Sequence, residues 1–114
     1  IEKLAGTFPG LRILLSHACW PWTTYACAVA MNWENVWLSP DGFMIDHPGS
    51  QDYILAANYR LQDKIIFGSL YPSVPTEYAV KRYKEMLRPE VLEKIFYLNA
   101  KRFLNKNVIS TCYH

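Results

Sequence analysis

Short apolar runs and longer helical patterns alternate along this chain. Leu11 to Leu15 is a nearly continuous apolar run broken only by Arg12, and Val36 to Leu38 and Ile65 to Phe67 are shorter runs of the same kind. Such runs predict strands buried on both faces, as in parallel sheets. Each ends in polar residues, at Ser16-His17, Ser39 and Gly68-Ser69. Between them the pattern predicts helices. Ile1 to Phe8 reads as a helix tail closed by Gly6 and the Pro9-Gly10 turn. Pro21 is placed to open a mostly buried helix over Thr23 to Asn32. Ser50 is a good N-cap for a helix over Gln51 to Leu61. Thr76 caps a helix to about Arg88, with Ala79, Tyr83, Met86 and Leu87 on its inner face. Pro89 opens a last helix, reaching Leu104.

The order is helix, strand, helix, strand, helix, strand, helix, helix. Strand to strand takes about 25 to 30 residues, the length of one βα unit in an eight-unit barrel of about 250 residues. The expected class is α/β. A five-stranded flavodoxin-like sheet is the main rival, but the chain supplies three strands. The expected division is a barrel portion over 1–104 and a polar tail over 105–114. Ile1 stands just before a helix-ending run, which reads as a piece of a longer chain.

Composition narrows the function classes. Of 114 residues, 51% are hydrophobic and 19% charged, a packed globular balance. The net charge of +2 comes without a dense Lys/Arg run, so no nucleic-acid partner is expected. The longest apolar stretch, Tyr25 to Met31, is far too short to cross a bilayer, so no membrane partner is expected either. Cys19, Cys27 and Cys112 fit no zinc or redox spacing and read as free thiols in the cytoplasm.

In parallel α/β folds, ligands sit at the carboxyl ends of strands. The residues there include His17, Trp20, Trp22, Asp41, Asp46, His47 and Tyr71. His17 is the main chemical candidate, because an imidazole can bind a metal or move a proton near neutral pH. It can equally be a buried His satisfied by a carbonyl. Trp20, Trp22 and Tyr71 are candidates for a substrate pocket, or else cover the rim. Asp41 and Asp46 could be ligands or bases, but they and His47 read first as turn formers in a Pro-rich loop. No phosphate-loop, nucleophile-elbow or zincin motif is present.

Several segments, taken in order, resemble one family. Phe8-Pro9-Gly10-Leu11-Arg12-Ile13-Leu14-Leu15-Ser16-His17, then Trp20-Pro21-Trp22 and Trp33-Glu34-Asn35-Val36-Trp37-Leu38, are similar to stretches of amidohydrolase-related proteins. Ile65-Ile66-Phe67-Gly68-Ser69-Leu70-Tyr71-Pro72 resembles their eighth-strand motif, and Glu93 to Leu104 their terminal helix. The family comprises metal-dependent TIM-barrel hydrolases and also holds aromatic-acid decarboxylases. The resemblance implies a partial TIM barrel, strands six to eight plus a C-terminal helix. It implies a hydrolase or a decarboxylase with a divalent metal, zinc being expected. His17 would be a metal ligand or catalytic acid/base, and a small molecule the substrate. The family's first- and fifth-strand histidines have no counterpart here.

Two departures matter. The family's eighth-strand Asp is Leu70, which can neither bind metal nor move a proton, and its His-Gly-Gly is His17-Ala18-Cys19. The alternative is therefore a non-catalytic barrel or scaffold, or an inactive fragment. Three staves would leave open strand edges, so the isolated chain should self-associate or join a missing amino-terminal part of the barrel.

Overall fold

The computed structural model describes residues 1–104. The tail over 105–114 and Cys112 lie outside the described residues. The described elements run α1 (Glu2–Thr7), β1 (Ile13–Ser16), α2 (Thr23–Asn32), β2 (Val36–Ser39), α3 (Ser50–Asn58), α4 (Thr76–Met86) and α5 (Pro89–Glu93). Two single 3-10 turns follow the strands, His17–Cys19 directly after β1 and Asp41–Met44 one residue after β2.

β1 and β2 pair in parallel with Ile13 opposite Val36 and Ser16 opposite Ser39. The third run is shorter than its apolar pattern predicts. It contributes one parallel bridge, Leu38 to Ile65. Leu38 N donates to Lys64 O (3.0 Å) and Ile66 N to Leu38 O (2.9 Å), but Phe67 N turns away to Ile95 O (3.0 Å). The reason lies in the last helix. α5 continues through a π-helical turn over Lys94–Leu98 and is helical again over 99–104. A π turn disturbs the regular backbone ladder, and here Ile95 O accepts from Phe67 instead. The strand exchanges a sheet bond for a helix bond.

β2 fits the expectation of burial, with Val36, Trp37 and Leu38 all buried. β1 does not. Leu14 and Ser16 are exposed, because only one edge of β1 is paired among the described residues and one face is uncovered. The core forms where Val36, Leu38 and Ile65 meet small residues of α2 (Ala26, Val29, Ala30) and α3 (Ala56, Ala57), with Tyr83, Val91 and Ile95 closing the far side. Alanines let the helices approach the sheet closely while removing apolar surface from water.

Helix ends depart from the expected caps. Ser50 lies inside α3 and does not cap it. Gly49 precedes the helix at φ 89°, where an added Cβ would come 2.7 Å from Thr23 Cγ2. The Ser50 hydroxyl instead donates to Phe43 O (2.8 Å) and accepts from His47 N (2.9 Å). Thr76 is likewise the first helical residue, after Pro75. α3 stops at Asn58, where Arg88 claims the local polar groups. Arg88 N donates to Asn58 Oδ1 (2.7 Å) and Arg88 Nε to Asn58 O (3.1 Å).

Two polar side chains, half-buried Lys64 and fully buried Asn99, fasten the strand ends. Lys64 Nζ donates to Ala30 O (2.6 Å) and Trp33 O (2.7 Å) at the end of α2. A cation there satisfies carbonyls that the helix leaves unpaired. Burial lowers the Lys64 pKa. Asn99, fully buried, donates from Nδ2 to Gln62 O (2.7 Å) and Ile65 O (2.8 Å) and so pins the bridge to the terminal helix. No helix among the described residues is long and apolar enough to cross a membrane. Asn99→Ala should leave both carbonyls without a partner and destabilise the fold by about 1–3 kcal/mol. Urea unfolding should show a lower midpoint at unchanged slope.

Candidate functional site

The register of β1 and β2 decides what meets at their carboxyl ends. Both strands stop at one level, at Ser16 and Ser39. His17 follows the first directly, and Asp41 follows the second by one further residue. Their side chains converge, with His17 Nδ1 2.5 Å from Asp41 Oδ2. The Asp41 side chain is only 10% exposed, while that of His17 is 52% exposed. The pair therefore has a buried acid and an open imidazole. A carboxylate accepts and cannot donate, so the neutral ring keeps its proton on Nδ1 and presents the Nε2 lone pair outward.

Backbone strain gathers at the same place. His17, Ala18 and Cys19 have φ of 60°, 46° and 59°, Asp41 has 50°, Asp46 has 54° and Leu70 has 70°. Left-handed backbone is uncommon outside glycine and clusters at functional sites. Tyr53 Oη donates to Ala18 O (2.8 Å), and Tyr83 Oη donates to Asp41 O (2.9 Å). Glycines let the third segment come close. A Cβ on Gly68 would lie 3.1 Å from Asp41 Cβ, and one on Gly42 would lie 3.1 Å from Leu70 Cβ.

Aromatic rings border the pair. Phe43 meets His17 edge-on at 5.6 Å between centroids, and Trp20 stacks on Phe43 at 4.9 Å. Trp20 Nε1 donates to Pro48 O (2.8 Å), which fixes the indole as part of the rim. Trp22 and Tyr71 are 68% and 74% exposed, so neither packs against this cluster in the way Trp20 does. His47 donates through Nδ1 to Ile45 O (2.7 Å) and lies against Phe43. Asp46 turns to Arg82 through two contacts of 2.5 and 2.9 Å, and the guanidinium lowers its pKa. Asp46 and His47 thus hold structure, as expected for this loop.

Asp41 is the residue that reading the sequence missed. It does form a turn, but it is also the partner of His17. The available signal was positional: His17 and Asp41 follow strand ends of like composition, Leu-Leu-Ser and Trp-Leu-Ser. Leu70 does sit beside the site, through Gly42, and brings no polar group.

Thiol chemistry is disfavoured. Burial raises the Cys19 pKa, and burial pushes Cys27 up to about 11, helped by Asp52. The described residues also do not build a metal centre alone, since among them no three His, Cys, Asp or Glu side chains converge. His17 Nε2 is one suitable donor.

Residues 1–106 match the family model described as amidohydrolase. The chain belongs to the amidohydrolase family. It is also similar in structure to an uncharacterized TIM-barrel protein from Bordetella bronchiseptica, with 38% sequence identity and a TM-score of 0.84. That likeness covers 92% of this chain and 38% of the other, so this chain spans well under half of that barrel. Among curated proteins none matches. The α/β architecture here is thus part of a TIM-barrel fold.

Alkylation can check the thiol assignment. Cys27 in the folded chain should react with iodoacetamide about two orders of magnitude more slowly than a free thiol near neutral pH. Its rate should climb about tenfold per pH unit until close to its pKa. Mass spectrometry of the native and urea-unfolded chain reads both rates.

Proposed function

We propose that this amidohydrolase chain supplies strands six to eight and the terminal helix of a metal-dependent hydrolase barrel. The observation that supports it most directly is the His17–Asp41 pair, which presents an oriented imidazole at the strand carboxyl ends. His17 acts there as a catalytic acid/base or as a metal ligand, with the remaining ligands outside these residues. A divalent ion, zinc by preference for imidazole donors, would polarise the scissile group when bound. Asp41 keeps the imidazole in one tautomer and strengthens it as a donor. Buried Asp41 and the ring of Phe43 limit water on one side of His17. Trp20 borders the substrate site beside His17, Trp22 and Tyr71 would reach substrate only from the exposed rim, and a small molecule with an amide or ester-like bond is the substrate class. Non-oxidative decarboxylation is the neighbouring chemistry for the same residues. Free Cys19 and Cys27 fit a cytoplasmic setting.

Leu70 supports a second reading, a barrel that keeps the fold as a binding or scaffold protein without catalysis. The deciding experiment is metal analysis of the intact protein with an assay against amide, ester and carboxylic-acid substrates, beside Leu70→Asp. A bound divalent ion and turnover are expected, with tighter metal retention in Leu70→Asp. His17→Ala should cut kcat/KM by about 10²–10⁴-fold. A metal-free protein that turns over none of these substrates would favour the scaffold.

The uncovered edge of β1, with Leu14 exposed, and the exposed Trp22 before α2 also support association of the isolated chain. Light scattering should give a mass above that of one chain. A compact, stable monomer would count against it.

A further inference from the structure

Two tyrosines lie deep in the core with no part in the chemistry outlined above. Tyr53 on α3 and Tyr83 on α4 are both fully buried, and each spends its only hydroxyl proton on a backbone carbonyl. Those carbonyls belong to Ala18 and Asp41, at φ of 46° and 50°. Ala18 follows His17 directly, and Asp41 is the partner of His17. Neither residue is glycine, so each left-handed turn costs energy that something must offset. The carbonyl at each turn points into the core, where an unpaired acceptor is unfavourable. Burial also raises both phenol pKa values, so each hydroxyl stays a donor throughout the ordinary pH range.

We propose that Tyr53 and Tyr83 are positioning residues, paired clamps that hold the two left-handed turns and so bring the His17 imidazole and the Asp41 carboxylate together. Tyr83 has the larger share. Its ring packs edge-on against Phe67 at 4.8 Å, so the clamp is seated on the same segment whose Gly68 touches Asp41. Tyr53 acts one peptide beyond His17 and sets the direction in which the imidazole leaves the strand. Without the Tyr83 hydroxyl, the Asp41 carbonyl must find another donor. The turn then relaxes, the carboxylate moves off Nδ1, and the ring reverts to the tautomer it prefers in water. The inference takes from the proposed function only that His17 needs a fixed tautomer, and its test does not require turnover.

The tautomer of His17 is read by long-range proton–nitrogen NMR on the full chain labelled with nitrogen-15. A chelator is present so that protein groups alone set the ring, and the pH stands about two units above the usual imidazole pKa. The wild-type ring should carry its proton on Nδ1. Tyr83→Phe keeps the ring volume and should lower the Nδ1–H to Nε2–H ratio about fivefold to tenfold, the weight of one hydrogen bond. Tyr53→Phe should lower it less, and Asp41→Ala should abolish the preference. A folded Tyr83→Phe chain with an unchanged ratio would overturn the clamp. Should Tyr83→Phe not fold, Tyr53→Phe decides, because an unchanged ratio in that folded chain overturns the clamp, and a wild-type ring found as Nε2–H refutes the arrangement without any variant. Absence of turnover would count against the hydrolase reading and leave this measurement standing.

Discussion

The in-register parallel pairing of β1 with β2 is the contact on which the site depends. Four residue pairs, from Ile13 with Val36 to Ser16 with Ser39, bring both strands to an end at one level. The first polar residues beyond them then share one surface. A slip of one residue would exchange buried for exposed side chains on the slipped strand and separate His17 from Asp41. The pairing is held from below by groups that do no chemistry. Lys64 secures the end of α2, Asn99 the bridge at Ile65, and Arg88 the end of α3.

Above the sheet, order comes from a different source. The turns at the strand ends are left-handed at non-glycine residues, so they are unfavourable taken alone. Their cost is offset by contacts to core helices, through Tyr53 and Tyr83, and by close approach of Gly42 and Gly68. Strain at the surface and packing in the core are thus two sides of one arrangement. The imidazole of His17 stays open, while Asp41 and the tyrosines that restrain the turns are buried.

Much of the fold was legible in the sequence. The helix over Thr23–Asn32 begins and ends where the apolar pattern and its flanking polar residues put it. Pro89 opens the last helix, and Ala79 and Tyr83 face the core. What was not legible depends on tertiary partners. The strand at Ile65 shrinks because the π turn offers Phe67 a different acceptor, and no local pattern records a π turn. Gly49, and not Ser50, sets the start of α3, because Thr23 crowds that spot from another helix. His17 could be found from its place after an apolar run. Asp41 is a turn former as well, so only its place after a like strand end pointed further, and its second role is made by the strand register. Family membership came from ordered short motifs that are weak singly and strong together.

Leu70 holds the loop after the third segment in an unfavourable backbone conformation. Its backbone stands at φ 70°, a conformation that leucine tolerates poorly and that aspartate, asparagine and glycine tolerate better. The resemblance expects aspartate at this position. The main chain at Leu70 thus has a shape that aspartate would adopt at lower cost than leucine. An aspartate placed there would need no change of backbone, so Leu70→Asp adds a carboxylate beside Gly42 without the loop being rebuilt.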